Sequence, residues 1–365
     1  MDSKEGKSEM QMDAGASKDA AAGKRKKRVP RIGKKAEEPR VRKTVKETRH
    51  RAPPVYEATL AVFEDDRYEF SRWWMRVWGD DIGSMEQKTT IPSVRFTDVA
   101  SGNSSVDTAT TLQPFEVRIS LKQNSGLTWP LHVYGYVAAR DLVDNKRIII
   151  FEREEDECQI IMEGVLSNFP YLALTGPTRA VVLIDPVYFE IDLKVKGIGQ
   201  SEDQDLIYVA SPFSNTQPLD SAVFKWVYTG KISTVELTFG LIRRSVEAAV
   251  SMRVVHGSWP DGFCGCFVAR TASINDLTIG LLVIGDNGLR LADDGTIKLQ
   301  RNVVCAEIRN GEYLEVSVGA YGVGGQRFDD TLFFTPQERG RLKCALHVGT
   351  CEIEVTVTWF LIKSF

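Results

Sequence analysis

The chain carries one pattern twice, as Thr128-Trp-Pro-Leu-His-Val-Tyr-Gly-Tyr-Val-Ala-Ala-Arg140 and as Ser258-Trp-Pro-Asp-Gly-Phe-Cys-Gly-Cys-Phe-Val-Ala-Arg270. In each copy a Trp-Pro corner leads into an apolar segment that ends in Ala-Arg. A single offset of about 130 residues relates these matches, and repetition at one spacing indicates a duplicated structural unit. Later segments that begin at Glu190 and at Glu315 match in a similar way.

The matched residues have predictable structural roles. Trp129 and Trp259 are expected to cap a hydrophobic core at a sheet corner, with stacking on a ligand as the alternative. Arg140 and Arg270 are each expected to pair with an acidic neighbour at the end of a strand.

Apolar and polar residues alternate through much of the chain after residue 112. A period of two is typical of strands with one buried and one solvated face, as in antiparallel sheets. The alternating segments are 115–121, 189–195, 235–239, 314–318 and 351–357. They predict an all-β fold, an antiparallel β-sandwich body over 113–365 that consists of two tandem related units, 113–244 and 245–365.

The first 51 residues differ in composition from the rest. They carry 17 basic and 8 acidic side chains and no aromatic residue, whereas the remainder has a net charge of −12. Such a segment cannot bury enough apolar surface to offset the entropy of ordering, so residues 1–51 are expected to form a disordered basic tail.

The tail contains a dense basic cluster that suggests a targeting role. Three interpretations stay open: a nuclear-import signal, a solubilising arm without a partner, and direct contact with nucleic acid. An import receptor or nucleic acid would then be a partner of the tail. The cluster consists of Lys24, Arg25, Lys26, Lys27 and Arg28.

Residues 52–112 are interpreted as a linker that includes a short amphipathic aromatic helix between Tyr56 and Gly79. Phe70 and Trp74 lie four residues apart, as do Trp74 and Trp78, so one helical face would gather them. That face would either pack on the β body or act as an exposed partner-binding surface with tryptophan anchors.

Few residues offer catalytic or metal chemistry. The chain has four histidines and no phosphate-binding or nucleophile-elbow motif, so neither a cofactor nor a metal is expected. Cys264 and Cys266 could supply half a zinc site, but no second pair follows at the spacing of a zinc finger. All six cysteines are expected to be thiols.

Carboxylates in turns keep an enzymatic alternative open. They could form a loop-carboxylate site or bind calcium, although turns favour aspartate for backbone reasons alone. The residues concerned are Asp141, Asp144, Asp293 and Asp294.

Several stretches, which include Trp129–Asp141 and the irregular run Leu174-Thr-Gly-Pro-Thr-Arg179, resemble a plant family of domains of unknown function, family 6598, which is abundant in grasses. The resemblance covers roughly 113–365. Family members occur alone or fused to ribosome-inactivating N-glycosidase domains, which implies a defence or stress context. The glycosidase motif Glu-Ala-x-Arg is not present, because Glu247-Ala-Ala-Val250 has Val where the Arg would stand.

The leading hypothesis is therefore a non-catalytic protein-interaction module with an unknown protein partner. The initial residues lack the apolar segment of a secretory signal and no apolar run reaches the length of a membrane span, so we expect the nucleus or cytoplasm and no membrane association. The alternatives are an enzyme with a loop-carboxylate site and a nucleic-acid binder that acts through its tail.

Overall fold

The computed structural model describes residues 41–42, 54–59, 63–64, 67–93, 106–163, 170–184, 186–197, 202–214 and 219–363. Nearly all of the predicted tail, with the cluster at Lys24, Arg25, Lys26, Lys27 and Arg28, lies outside these residues, so the tail predictions stay predictions.

The described chain consists mainly of strands, and the all-β prediction is confirmed. The helix expected between Tyr56 and Gly79 is α1, Arg67–Ile82, which contains Phe70, Trp74 and Trp78 and extends three residues beyond Gly79, while Tyr56 belongs to a strand. A short 3-10 turn covers Glu155–Glu157. The strands are β1 Val41–Arg42, β2 Val55–Thr59, β3 Phe63–Glu64, β4 Val106–Asp107, β5 Ala109–Leu121, β6 Leu131–Arg140, β7 Ile148–Arg153, β8 Gln159–Ile161, β9 Val181–Val182, β10 Val187–Val195, β11 Gln204–Phe213, β12 Ala222–Thr229, β13 Ser233–His256, β14 Phe263–Thr271, β15 Ile274–Ile284, β16 Thr296–Ile297, β17 Val303–Glu307, β18 Leu314–Gly322, β19 Arg327–Phe334, β20 Arg339–Val348, β21 Cys351–Phe360 and β22 Ile362–Lys363.

Three large sheets organise these strands. The N-sheet has the order β3-β11-β10-β6-β7, and β8 also pairs with β6. The C-sheet has the order β1-β19-β18-β14-β15. The shared sheet has the order β2-β12-β13-β21-β20. The strands β5, β16 and β17 also pair with β13, and β9 pairs with β5. Apart from these three sheets, β4 and β22 form a two-stranded pair.

The 24-residue strand β13 joins the two halves of the molecule. Its first half pairs with β5 and β12, and its second half pairs with β17 and β21. The ladder with β5 shifts register between Ile242 and Ser245, where Arg244 has a φ of +43°. The unit boundary predicted at 244/245 falls on this irregularity, inside one strand.

Two hydrophobic cores flank the shared sheet. The first lies between the N-sheet and the first half of the shared sheet, where Phe189, Trp226 and Phe239 contact one another. The second lies between the C-sheet and the other half, and it includes Phe267 and Trp359. Each core therefore uses the alternating residues of one outer sheet and of the shared sheet.

The N-terminal segment adds a short strand to one strand of every large sheet. β1 pairs antiparallel with β19, β2 pairs parallel with β12, and β3 pairs antiparallel with β11. The sheets of this protein thus accept extended chain by strand addition at their edges.

Within the described residues, the one helix is neither long nor apolar enough to cross a membrane.

Candidate functional site

The predicted partner anchors lie on α1, which covers the outer face of the N-sheet. Phe70 and Trp74 are buried, and they pack with Tyr208 and Ala210. Trp78 is half-buried against the same cluster. The position of the helix matches the packing alternative, and a role of these three side chains as partner anchors stays a prediction.

A bidentate ion pair holds the start of α1. The Arg67 guanidinium donates to Asp192 at 2.7 and 2.8 Å and to Asp205 at 2.9 and 3.0 Å. The hydrogen bond from Arg67 lowers the pKa of Asp205. Both aspartates come from neighbouring strands of the N-sheet, so the contact ties the helix to that sheet.

Beneath the helix and the loop after it lies a buried charged cluster centred on Glu190. Its carboxylate accepts from Arg140 Nε at 2.9 Å, from Arg147 Nη2 at 2.6 Å and from the hydroxyl of Tyr136. Arg140 also lies over the ring of Trp74, with 5.1 Å between the guanidinium carbon and the ring centroid. Burial alone would raise the pKa of Glu190, but the two guanidinium groups outweigh it and the pKa lies below its usual value.

Each of the two repeated arginines pairs with an acidic side chain, as expected, and the partners are the glutamates at matched positions. Arg140 pairs with Glu190 in the first copy, and Arg270 pairs with Glu315 in the second, each at 2.9 Å. The first pair is buried, whereas the Arg270 side chain is 40% exposed. The two copies therefore place the same ion pair in different dielectric environments.

The loop carboxylates do not form one group with a common role. Asp141 and Asp144 both pair with Arg179, at 2.7 and 3.0 Å, and Asp141 also accepts from the amide of Val182. Asp293 and Asp294 are exposed in the turn before β16. Among the residues that the structure describes, no three His, Cys, Asp or Glu side chains are placed to hold a metal.

One carboxyl that the sequence did not single out has a strongly shifted pKa. Burial, assisted by the nearby Glu307, raises the pKa of Glu312 to about 7. Such shifts occur at catalytic groups but also in structural ion networks. Glu307 itself accepts from Ser221 and pairs with Arg244, so it is held within such a network.

Cys264 and Cys266, considered from the sequence as half a zinc site, are free thiols on β14. A hydrogen bond to Asp286 raises the pKa of Cys264, and burial raises that of Cys266.

The edge strand β15 borders a small groove. Its described strand partner is β14 alone, and the carbonyl of Leu281 accepts from the amides of Gln300 and Arg301. A groove of about 330 Å³ runs between the end of β15 and the following loop. Residues that line it include Val283, Leu289, Arg290 and Lys298.

A family model for a domain of unknown function, DUF6598, matches residues 111–357. The chain belongs to this family. The match begins after α1 and after β1 to β3, so the helix and the three added strands lie outside the DUF6598 domain.

Comparison with curated proteins found no match. Two solved structures match this chain with low sequence identity and low TM-scores. The human GIVD cytosolic phospholipase A2 is 9% identical with a TM-score of 0.22, and the match covers 72% of this chain and 31% of the enzyme. A pair of C2 domains from extended synaptotagmin 2 is 10% identical with a TM-score of 0.23, over 76% of this chain and 100% of that one.

The sequence did not single out Tyr136, Arg147 and Arg179, although they complete the two charged clusters. No local signal marks them, because the residues they contact lie elsewhere in the chain: Arg147 and Glu190 are 43 positions apart. The matched positions of Glu190 and Glu315 were the one available hint.

Proposed function

We propose that this DUF6598 protein is a non-catalytic protein-interaction module that binds an extended acidic segment of a partner protein along β15. The supporting observation is the uncharged edge of that strand. Its last six residues, 279–284, contain no charge and no proline, and Val283 is 67% exposed. An apolar edge without charge or proline favours strand addition, here on the part of β15 beyond the Leu281 carbonyl, which the amides of Gln300 and Arg301 already occupy.

Comparison with another sheet edge supports this choice. The strand β20 ends the order of the shared sheet, and it carries Arg339, Arg341 and Lys343. Charged side chains of this kind protect an edge against pairing. The other end of the C-sheet is extended by β1, so strand addition already occurs in the sheet to which β15 belongs.

The side chains that line the groove beside β15 indicate which charge the partner segment should carry. Arg290 and Lys298 are exposed, and no ion pair or hydrogen bond engages either side chain within the described residues. Val283 and Leu291 add exposed apolar surface near these cations. A strand with alternating apolar and acidic residues would pair with the backbone of β15 and neutralise the cations.

The test is peptide binding to the full chain by fluorescence anisotropy. The probe is a labelled ten-residue peptide of alternating valine and glutamate, and the comparison peptide alternates valine and lysine. We expect a Kd of about 1–100 µM for the acidic peptide. Val283→Pro should abolish binding because it removes a backbone donor at the edge, and Arg290→Glu with Lys298→Glu should weaken it at least tenfold.

The matched control is Lys225→Glu on β12, a strand that has partners on both sides and should leave binding unchanged. Equal binding of the acidic and basic peptides, or full binding by Val283→Pro, would contradict the proposal. Thermal unfolding of each variant checks that the fold is retained.

The setting that we propose is the nucleus or cytoplasm of a plant cell during defence or stress. It rests on the resemblance to a plant family with ribosome-inactivating fusions and on the basic cluster at residues 24–28. A fluorescent fusion should accumulate in the nucleus, and replacement of Lys24 to Arg28 by alanine should abolish accumulation. Equal distribution of the two forms would contradict the import role.

A further inference from the structure

The two tryptophans of the repeated pattern occupy different environments. Trp259 is buried, and its indole Nε1 donates to the carbonyl of Phe263 at 2.9 Å. Trp129 is half-buried at the margin of the first core, and within the described residues its indole N–H has no hydrogen-bond partner. One copy therefore uses the tryptophan for packing, whereas the other leaves a donor and part of a ring accessible.

Trp129 lines an open cleft of about 850 Å³ at the end of the first core. This volume lies within the roughly 300–1,000 Å³ of small-molecule sites. The cleft lies between the last residues of β5 and the loop that leads to Trp129. Its lining includes Thr128 and Ser120, and the Ser120 hydroxyl donates to the carbonyl of Thr234 at 3.5 Å.

The loop presents polar side chains that the protein does not use internally. Lys122, Gln123 and Asn124 are exposed, and no described residue hydrogen-bonds to their side chains. Asn124 has a φ of +66°, in the left-handed region that asparagine tolerates better than most residues. The loop thus combines amide donors and acceptors with an aromatic ring, all on one cleft.

We propose that this cleft is a carbohydrate-binding site that takes a pyranose ring of an oligosaccharide. A pyranose has an apolar C–H face, which stacks on an indole ring, and a rim of hydroxyl groups that both donate and accept hydrogen bonds. Amide and hydroxyl side chains can satisfy both roles, and the indole N–H supplies a further donor. The site is separate from the β15 edge and does not depend on the proposed function.

The mixed charge of the cleft disfavours nucleic acid as the ligand. A single-strand binder needs a run of cations along the backbone and several stacking rings. The cleft offers Trp129 as its one aromatic side chain among the described lining residues, and the same lining includes the acidic Glu163 as well as Arg118 and Lys122. A neutral ligand with many hydroxyl groups fits this surface better.

The experiment titrates the full chain with cellopentaose, xylopentaose, mannopentaose and chitopentaose by isothermal titration calorimetry. We expect at least one sugar to bind with a Kd of about 10 µM to 1 mM. Trp129→Ala should weaken that binding at least tenfold, and Trp129→Phe should retain part of it, because a smaller ring still stacks.

Because Trp129 also contacts the first core, its substitution could affect folding as well as binding. A second variant therefore tests the cleft without changing Trp129. Gln123→Ala with Asn124→Gly changes two exposed side chains, and glycine accepts the positive φ, so the fold should be unaffected while affinity falls about fivefold or more. Absence of binding by all four sugars at about 10 mM, or binding that survives both sets of substitutions, would overturn the proposal. Tighter binding of a single-stranded oligonucleotide to the Trp129 cleft would also overturn it.

Discussion

Glu190 and Glu315 hold matching positions in the repeated pattern but contribute to stability by different routes. Glu190 is fully buried between Arg140 and Arg147, so its removal leaves Arg140 without its counter-charge and Arg147 with only the exposed Glu86. Glu315 pairs with a half-exposed arginine, where solvent screens the interaction. The two ion pairs consist of the same residue types, so the difference in burial decides how much each contributes to stability.

We expect Glu190→Gln to lower the free energy of unfolding by about 3–5 kcal/mol, because it breaks a buried pair. The matched control Glu315→Gln should cost about 0–1 kcal/mol. Urea unfolding monitored by circular dichroism measures both. Equal effects of the two substitutions would contradict the importance of burial.

The same pair has a defined pH dependence. The pKa of Glu190 lies below its unfolded value of 4.5, so its stabilisation is present above pH 4.5 and is lost as the pH falls through the lower folded pKa. The difference in stability between the wild type and Glu190→Gln should therefore shrink in acid.

At the scale of elements, α1 is part of the folded structure although it lies outside the DUF6598 match. Its buried face carries Phe70 and Trp74, and its first residue is tied to two strands of the N-sheet. The loop after it continues the attachment, since Arg140 donates to the carbonyl of Met85 at 2.7 Å. The helix thus covers charges that the sheet alone would expose.

Substitution of Trp74 tests this attachment. Trp74→Ala should destabilise the protein by about 3–5 kcal/mol, because it removes a buried indole and its contact with Arg140. Val77→Ala on the exposed side of the same helix should change stability by less than about 0.5 kcal/mol. A thermal melt in which both variants match the wild type would show that the helix does not contribute.

For the whole molecule, the continuous strand β13 couples the two cores. Side-chain contacts reinforce this link: Arg301 donates to the carbonyl of Pro114 at 2.6 Å, and the Gln113 side chain accepts from the amide of Cys305 at 2.9 Å. These contacts join β5, which borders the first core, to the region of β17 in the second. Loss of one core would remove hydrogen-bonded support from the other.

We therefore expect one cooperative unfolding transition. Leu237→Ala in the first core and Ile353→Ala in the second should each shift that same transition, by about 2–5 kcal/mol. Differential scanning calorimetry, together with tryptophan fluorescence, checks this. Two separate transitions, each moved by one substitution, would show that the cores unfold independently.

The sequence by itself determined the local features of this protein. Alternation of apolar residues predicted antiparallel sheets, because period two reports which side of a strand is buried. The repeated arginines predicted a pair with some acidic neighbour in each copy, without naming the partner, and the four-residue spacing of Phe70, Trp74 and Trp78 predicted the helix.

Only the tertiary structure decided which surfaces these elements cover or leave open. Backbone ladders form between any two strands, so no local pattern could show that β13 runs through both halves or that β15 ends its sheet. The burial of Glu190 beneath α1 depends on contacts between distant positions, such as the 125 residues that separate Arg67 from Asp192. The different roles of Trp129 and Trp259 arise for the same reason, since identical residues take their environment from the strands and loops that fold around them.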